Sequence, residues 1–291
     1  MTTSAGQRPS QAARIPNALS IAGVDPSGGA GVLADVKAMS ALGAYGCAVI
    51  AALTAQNTHG VTHISPVPAE FVGHQIETLL ADVRIDAVKI GMLGHRSVTE
   101  VVAEKMAKHR PAHVVLDPVM IAKSGDHLLE RDAIGALREA LLPQATLITP
   151  NLPEAGVLLD ERPVETVREM RRVAERLRER MAYSGHRWVM VKGGHLPGPE
   201  TIDLLHDGDR MIELPGLRVE TPNTHGTGCT LSAALAALLP QIDDVPEAAR
   251  RAKAYLTEAI RQSGGLTVGS GHGPVHHFHA LWGQQGGRHS S

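Results

Sequence analysis

The sequence predicts an α/β fold built on a mainly parallel sheet. Three observations carry that expectation. Short apolar runs alternate with helical patterns from Ala18 onward. Strands separated by helices need crossover connections, which are right-handed and make neighbouring strands parallel. Gly, acidic, amide and Lys residues cluster directly after the apolar runs, and in open parallel sheets the ligand crevice lies outside the carboxyl ends of the strands. No internal repeat, long linker or composition shift divides the chain. One domain is expected over 17–282, with a disordered leader over 1–16 and a flexible tail over 283–291.

The elements follow in order. Residues 19–22 read as a strand, and Val32, Leu33, Val36, Met39 and Leu42 then keep helical spacing until Gly43 ends the helix. Residues 47–53 read as a second strand. Phe71, Val72, Ile76, Leu79, Leu80 and Val83 mark a second helix. Further strands are expected at 87–90, 113–116, 146–149 and 188–191. Residues 201–205 and 210–214, joined by His206-Asp207-Gly208-Asp209, read as an edge hairpin. Residues 163–181 hold six Arg and four Glu around one apolar face. That mixture marks a solvated amphipathic helix, with Glu165/Arg168, Glu169/Arg172 and Glu175/Arg178 spaced to pair on its surface.

Composition narrows the function. The 291 residues carry a net charge of −2, which argues against a nucleic-acid-coating or membrane-surface protein. Aromatic residues make up 2%, too few for a base-stacking platform. Two cysteines, Cys47 and Cys229, form no disulfide framework. With neither a secretory h-region nor an apolar stretch of membrane length, a cytoplasmic protein is expected. Sixteen histidines include His276-His277-Phe278-His279, read as surface or packing residues rather than a metal site.

The strand ends carry the chemistry. Gly23-Val24-Asp25-Pro26-Ser27-Gly28-Gly29-Ala30 fits neither the P-loop nor the dinucleotide pattern. Asn223-Thr224-His225-Gly226-Thr227-Gly228-Cys229-Thr230 is more telling, because it precedes an Ala/Leu-rich helix. Free N–H groups at a helix N-terminus, backed by its dipole, bind an anion. Gly226 and Gly228 read either as that anion site or as a plain N-cap turn. Cys229 reads either as a thiol whose pKa the dipole lowers or as a small buried hydrophobe. Asp117, Asn151 and Glu154 are oxygen ligands suited to Mg²⁺, and Lys192 suits a phosphate oxygen. Together these describe phosphoryl transfer.

These segments, with Ala55-Gln56-Asn57-Thr58, Lys89-Ile90-Gly91-Met92-Leu93, Leu116-Asp117-Pro118-Val119-Met120, Thr149-Pro150-Asn151-Leu152-Pro153-Glu154, Val191-Lys192-Gly193-Gly194-His195 and Gly273-Pro274-Val275-His276-His277-Phe278-His279, run in one order over residues 17–282. In them the chain closely resembles the hydroxymethylpyrimidine/phosphomethylpyrimidine kinases of the ribokinase-like superfamily. The resemblance implies a three-layer α/β/α sandwich, often dimeric, that uses ATP and Mg²⁺. It implies successive phosphorylation of 4-amino-5-hydroxymethyl-2-methylpyrimidine to the monophosphate and the diphosphate.

By the same resemblance Gln56 holds the pyrimidine, and Gly23, Asp35, Met92 and Val119 line its pocket. Gly226, Thr227 and Gly228 form the anion hole, with Cys229 where other members of the superfamily place a catalytic Asp. Asn151 and Glu154 organise Mg²⁺, while Lys192 and Thr224 contact ATP. A Gln carboxamide matches the donor–acceptor edge of a 4-aminopyrimidine. Asp35 could equally salt-bridge a neighbour. Thr54 stands where Val is expected and Val24 where Thr is common. The alternatives are a pyridoxal kinase, whose substrate is also a hydroxymethyl N-heterocycle, and a non-catalytic pyrimidine sensor.

Overall fold

The computed structural model describes residues 14–120, 128, 130–182, 185–242 and 244–282. The expected tail lies outside these residues, as does the expected leader apart from Arg14, Ile15 and Pro16. The Pro16 carbonyl accepts the Tyr45 N–H at 2.8 Å, which ties it to the second strand.

The sheet is built from β1 (Asn17–Val24), β2 (Tyr45–Gln56), β3 (Val61–Pro66), β4 (Ala87–Ile90), β5 (His113–Leu116), β6 (Leu147–Ile148), β7 (Trp188–Val191), β8 (Glu200–His206) and β9 (Met211–Leu217). Their order is β3-β2-β1-β4-β5-β6-β7-β8-β9. The run from β2 to β7 is parallel, while β3 at one edge and β8 and β9 at the other are antiparallel.

Alternation along the strands makes two cores, because successive side chains point to opposite faces. Ala18, Ala87, Val115, Leu147 and Trp188 face α1 (Gly31–Ala41), α7 (Thr227–Leu238) and α8 (Val245–Arg261). Leu19, Val88, Val114, Ile148 and Val189 face α2 (Ala69–Asp82), α3 (Arg96–His109), α4 (Arg131–Ala136), α5 (Leu152–Leu159) and α6 (Val167–Arg180). A short α9 (His279–Trp282) closes the described chain. The result is a three-layer sandwich. Strands β4 and β7 are buried throughout, as central parallel strands are. Each large apolar side chain buried there stabilises the fold by roughly 1.5–3 kcal/mol.

Most expected elements appear near their expected places. Leu42 caps α1 and Gly43 follows at φ +80°, a left-handed stop. Two expectations fail. Strand β3 has no counterpart in the sequence reading, because Thr62–Pro66 are exposed on both faces and show no alternation. The expected surface pairs of α6 give way to longer reaches. Thr166 caps that helix and its hydroxyl donates to Glu169, while Arg171 pairs with Glu213 and Arg176 with Glu161. Among the described residues no helix is long and apolar enough to cross a membrane.

Candidate active site

The carboxyl ends of β1, β2, β4, β5, β6 and β7 border a cavity of about 400 Å³. A larger cavity of about 1090 Å³ opens at the opposite ends of β5 and β7, beside His113 and Trp188. Residues of the sequence-predicted constellation line the smaller one.

At the β1–β2 end, Gly23, Gln56, Met92 and Val119 line the cavity. Gly23 follows a register shift after Ala22, and its N–H donates to Met92 O at 3.1 Å. A Cβ there would come within 3.0 Å of Met92 Cε, so the glycine keeps this wall thin. Gln56 ends β2 beside a bulge after Ala55. The Thr54 hydroxyl donates to Val24 O at 2.8 Å and lies 3.2 Å from Gln56 Oε1, which orients the carboxamide. That bond needs the hydroxyl at 54 but only the backbone carbonyl at 24.

At the β5–β7 end stand Asp117, Asn151, Glu154 and Lys192. Lys192 Nζ lies 3.0 Å from Asp117 Oδ1 and 3.9 Å from Glu154 Oε2. Asp117 also accepts from Thr149 and Ser232. Asn151 and Glu154 cap α5 reciprocally: Asn151 Oδ1 accepts from Glu154 N at 2.9 Å, and Glu154 Oε2 accepts from Asn151 N at 2.8 Å. That box satisfies the α5 N-terminus internally. The α7 N-terminus differs. Gly226 stands at its N-cap with φ +74° and no side-chain cap. Thr224, Gly226, Thr227, Gly228 and Cys229 all line the cavity. The first N–H groups of α7 have no partner in their own helix and lie at the cavity wall.

Asp35 is a correction. Expected in the pocket wall, it is fully enclosed. It accepts from Ser20 Oγ at 2.6 Å and from Lys89 Nζ at 2.7 Å. The salt-bridge alternative is the one observed, because Lys89 on β4 is equally buried and needs a counter-charge.

The sequence and structure comparisons place the chain among known proteins. A family model described as phosphomethylpyrimidine kinase matches residues 25–276. The chain is 52% identical over 268 residues to a hydroxymethylpyrimidine/phosphomethylpyrimidine kinase of Salmonella typhimurium, covering 91% of this chain and 98% of that one. The Escherichia coli protein of the same description is 51% identical, with the same coverage. The chain belongs to the phosphomethylpyrimidine kinase family. Among solved structures, a phosphomethylpyrimidine kinase from Clostridium difficile superposes with TM-score 0.74 at 39% identity, covering 85% of this chain and 100% of that one. Staphylococcus aureus pyridoxal kinase in complex with ADP gives TM-score 0.83 at 31% identity, covering 92% and 96%. The fold is ribokinase-like.

The site electrostatics bear on the two readings of Cys229. Burial pushes the Cys229 thiol up to about 11, helped by Asp35 and Asp117, and neither Lys89 nor the Gly31 N–H offsets it. Desolvation disfavours the thiolate, and the thiol stays protonated at neutral pH. Burial also pushes the Glu154 carboxyl up to about 7, with Lys192 opposing and Asp117 adding. Burial disfavours the Lys192 ammonium, yet Asp117 and Glu154 hold its pKa above the usual lysine value.

Two cavity-lining residues, Asp25 and His225, had no role in the sequence reading. Their motifs were legible, but their contact spans 200 residues and no local spacing signals it.

Proposed function

We propose that this protein transfers the γ-phosphoryl of ATP to the hydroxymethyl oxygen of 4-amino-5-hydroxymethyl-2-methylpyrimidine, and a second phosphoryl to the monophosphate, in thiamine diphosphate biosynthesis. The observation that carries the reading is the uncapped α7 N-terminus sharing one cavity with the Gln56 carboxamide. Family membership supports it.

In the first step the hydroxymethyl oxygen bonds to the γ-phosphorus, the bond to the β-phosphate bridging oxygen breaks, ADP leaves, and the alcohol's proton passes to an oxygen of the transferred phosphoryl. Gln56 pairs with the ring nitrogen and exocyclic amine, while Gly23, Met92 and Val119 enclose the ring. The N–H groups at 227–229 face the charge that grows on the transferring phosphoryl, usually the largest contribution to such catalysis. Lys192, Thr224 and Asn151 hold the nucleotide. A metaphosphate-like transition state needs little activation of its nucleophile. That suits a Cys229 thiol that keeps its proton.

Mg²⁺ fits this donor set. Two buried carboxyl groups, Asp117 and Glu154, approach one lysine and offer the oxygen donors that a hard cation takes. No group of three or more His, Cys, Asp or Glu side chains among the described residues forms a cage. A cation that keeps waters and phosphate oxygens needs none. Bound there with Asn151, it would neutralise phosphate charge.

A second reading, pyridoxal kinase, is favoured by the superposition on the S. aureus enzyme. ADP release measured with the aminopyrimidine alcohol, its monophosphate and pyridoxal in parallel separates the two. Turnover of the first two acceptors above pyridoxal is expected, and the reverse order rejects the assignment. We propose further that residues 17–282 act as one domain in a cytoplasmic homodimer without nucleic-acid partners. The exposed edge strand β3 and exposed Leu53 and Phe71 beside it support the pairing of two copies.

A further inference from the structure

The Asp25 carboxylate gathers its own loop. It accepts from Ser27 N at 2.9 Å, Ser27 Oγ at 2.9 Å and Ala30 N at 3.0 Å. A further donor comes from outside that loop: His225 Nε2 lies 2.6 Å from Asp25 Oδ2. The pair is nearly sealed, at 3% and 7% exposure. His225 directly precedes the N-cap of α7, and its own N–H donates to Gly273 O at 3.1 Å. There is no slack between the loops. A Cβ on Gly226 would fall 1.7 Å from Gly29 O, and one on Gly29 would fall 2.3 Å from His225 Cδ2. The 25–30 loop continues from the strand that carries Gly23, on the acceptor side. The 223–228 loop leads into the N–H groups on the phosphoryl side.

We propose that Asp25 and His225 are positioning residues that set the gap between the acceptor pocket and the phosphoryl-binding end of α7. The proposal rests on the kinase reading above. A hydrogen-bonded pair buried between two backbones that already touch resists both widening and sliding. In-line transfer depends steeply on that gap, and a misplacement of about 1 Å can cost 10²-fold. The two acceptors do not sense it equally. The alcohol oxygen sits one carbon from the ring, whereas the attacking oxygen of the monophosphate reaches two bonds further. A widened gap therefore penalises the first phosphorylation more than the second.

The test compares wild type, His225→Ala, His225→Gln and Asp25→Asn. Gln keeps an N–H donor at a reach like that of His Nε2. Each protein is measured for kcat and KM on both acceptors, for melting temperature, and for amide hydrogen exchange at 25–31 and 226–229. In His225→Ala, kcat on the alcohol is expected to fall about 10²-fold. Its KM values should stay within about threefold, the loss on the monophosphate should be smaller, and exchange should quicken in both loops. Gln should restore at least tenfold of the lost kcat. Unchanged kcat in a folded His225→Ala protein overturns the proposal. So does an equal loss on both acceptors that follows the melting temperature. If His225→Ala does not fold, His225→Gln and Asp25→Asn decide: an unaltered ratio of the two kcat values with unaltered exchange rejects the pair. Should wild type turn over neither acceptor, the kinase reading fails, and the exchange data still judge the link between the loops.

Discussion

Gly228 stands where the growing charge of a transferred phosphoryl would sit. A Cβ there would lie 3.3 Å from Lys192 Nζ and 3.5 Å from Asp117 Oδ2, so a small side chain fits but points into the anion's place. Gly228→Asp puts a carboxylate there and is expected to lower kcat about 10²–10³-fold. Cys229→Ser exchanges one protonated group for another and should cost less. Steady-state kinetics with the opposite ranking would contradict the dominance of charge stabilisation. Glu154 gives a pH signature. Its folded pKa near 7 lies above the ordinary value of 4.5, so the folded state binds the extra proton. The stabilisation from that proton is complete below about pH 4.5 and disappears as pH rises through about 7, at up to about 1.4 kcal/mol per pH unit. Glu154→Gln keeps an oxygen for the cap. It should flatten the loss of stability between pH 5 and 8, read by urea denaturation at each pH, while lowering activity. A variant with the wild-type slope would show that this carboxyl titrates normally. At this scale the sequence revealed which residue types gather at the strand ends but not how burial resolves them. It suggested a lowered Cys229 pKa because a helix N-terminus is visible in a motif and desolvation is not.

Between elements, a buried chain of polar contacts joins β1, α1 and β4 through Ser20, Asp35 and Lys89. The Lys89 ammonium is disfavoured by burial but held charged by Asp35 and Asp117. Lys89→Met leaves Asp35 buried without its cation and should cost about 3–5 kcal/mol of folding stability. Adding Asp35→Asn should recover part of it, and chemical denaturation of both variants checks this. A loss below 1 kcal/mol in the single variant would mean that the pair contributes little. Strands β5 and β7 were legible because apolar runs of strand length ended at Asp117 and Lys192, and β4 because a run interrupted only by Lys89 ended at Gly91. The Asp35–Lys89 bridge was visible only as an alternative, since it spans 54 residues. Strand β3 was not legible, because an edge strand exposed on both faces has no periodicity to read. Without it, the strand was expected to stop at Leu53 and Gln56 to follow its end, rather than to sit at a bulged hairpin position.

Across the whole molecule, the parallel run from β2 to β7 brings residues from distant segments to one rim. That gathering was foreseeable from the strand–helix alternation alone, whereas the distances across the rim were not. The proposed homodimer should sediment at twice the 30.8 kDa chain mass, and a monomer at micromolar concentration would reject it. The central claim is that the open end of α7 receives the nucleotide's terminal phosphoryl while Gln56 grips the acceptor ring. A crystal structure with a non-hydrolysable ATP analogue and the aminopyrimidine alcohol measures it most directly. The γ-phosphoryl is expected within hydrogen-bonding distance of the 227–229 amides, with the hydroxymethyl oxygen in line with it and the ring on the Gln56 amide. Nucleotide bound in the cavity at the opposite strand ends, or a ring bound away from Gln56, would contradict it.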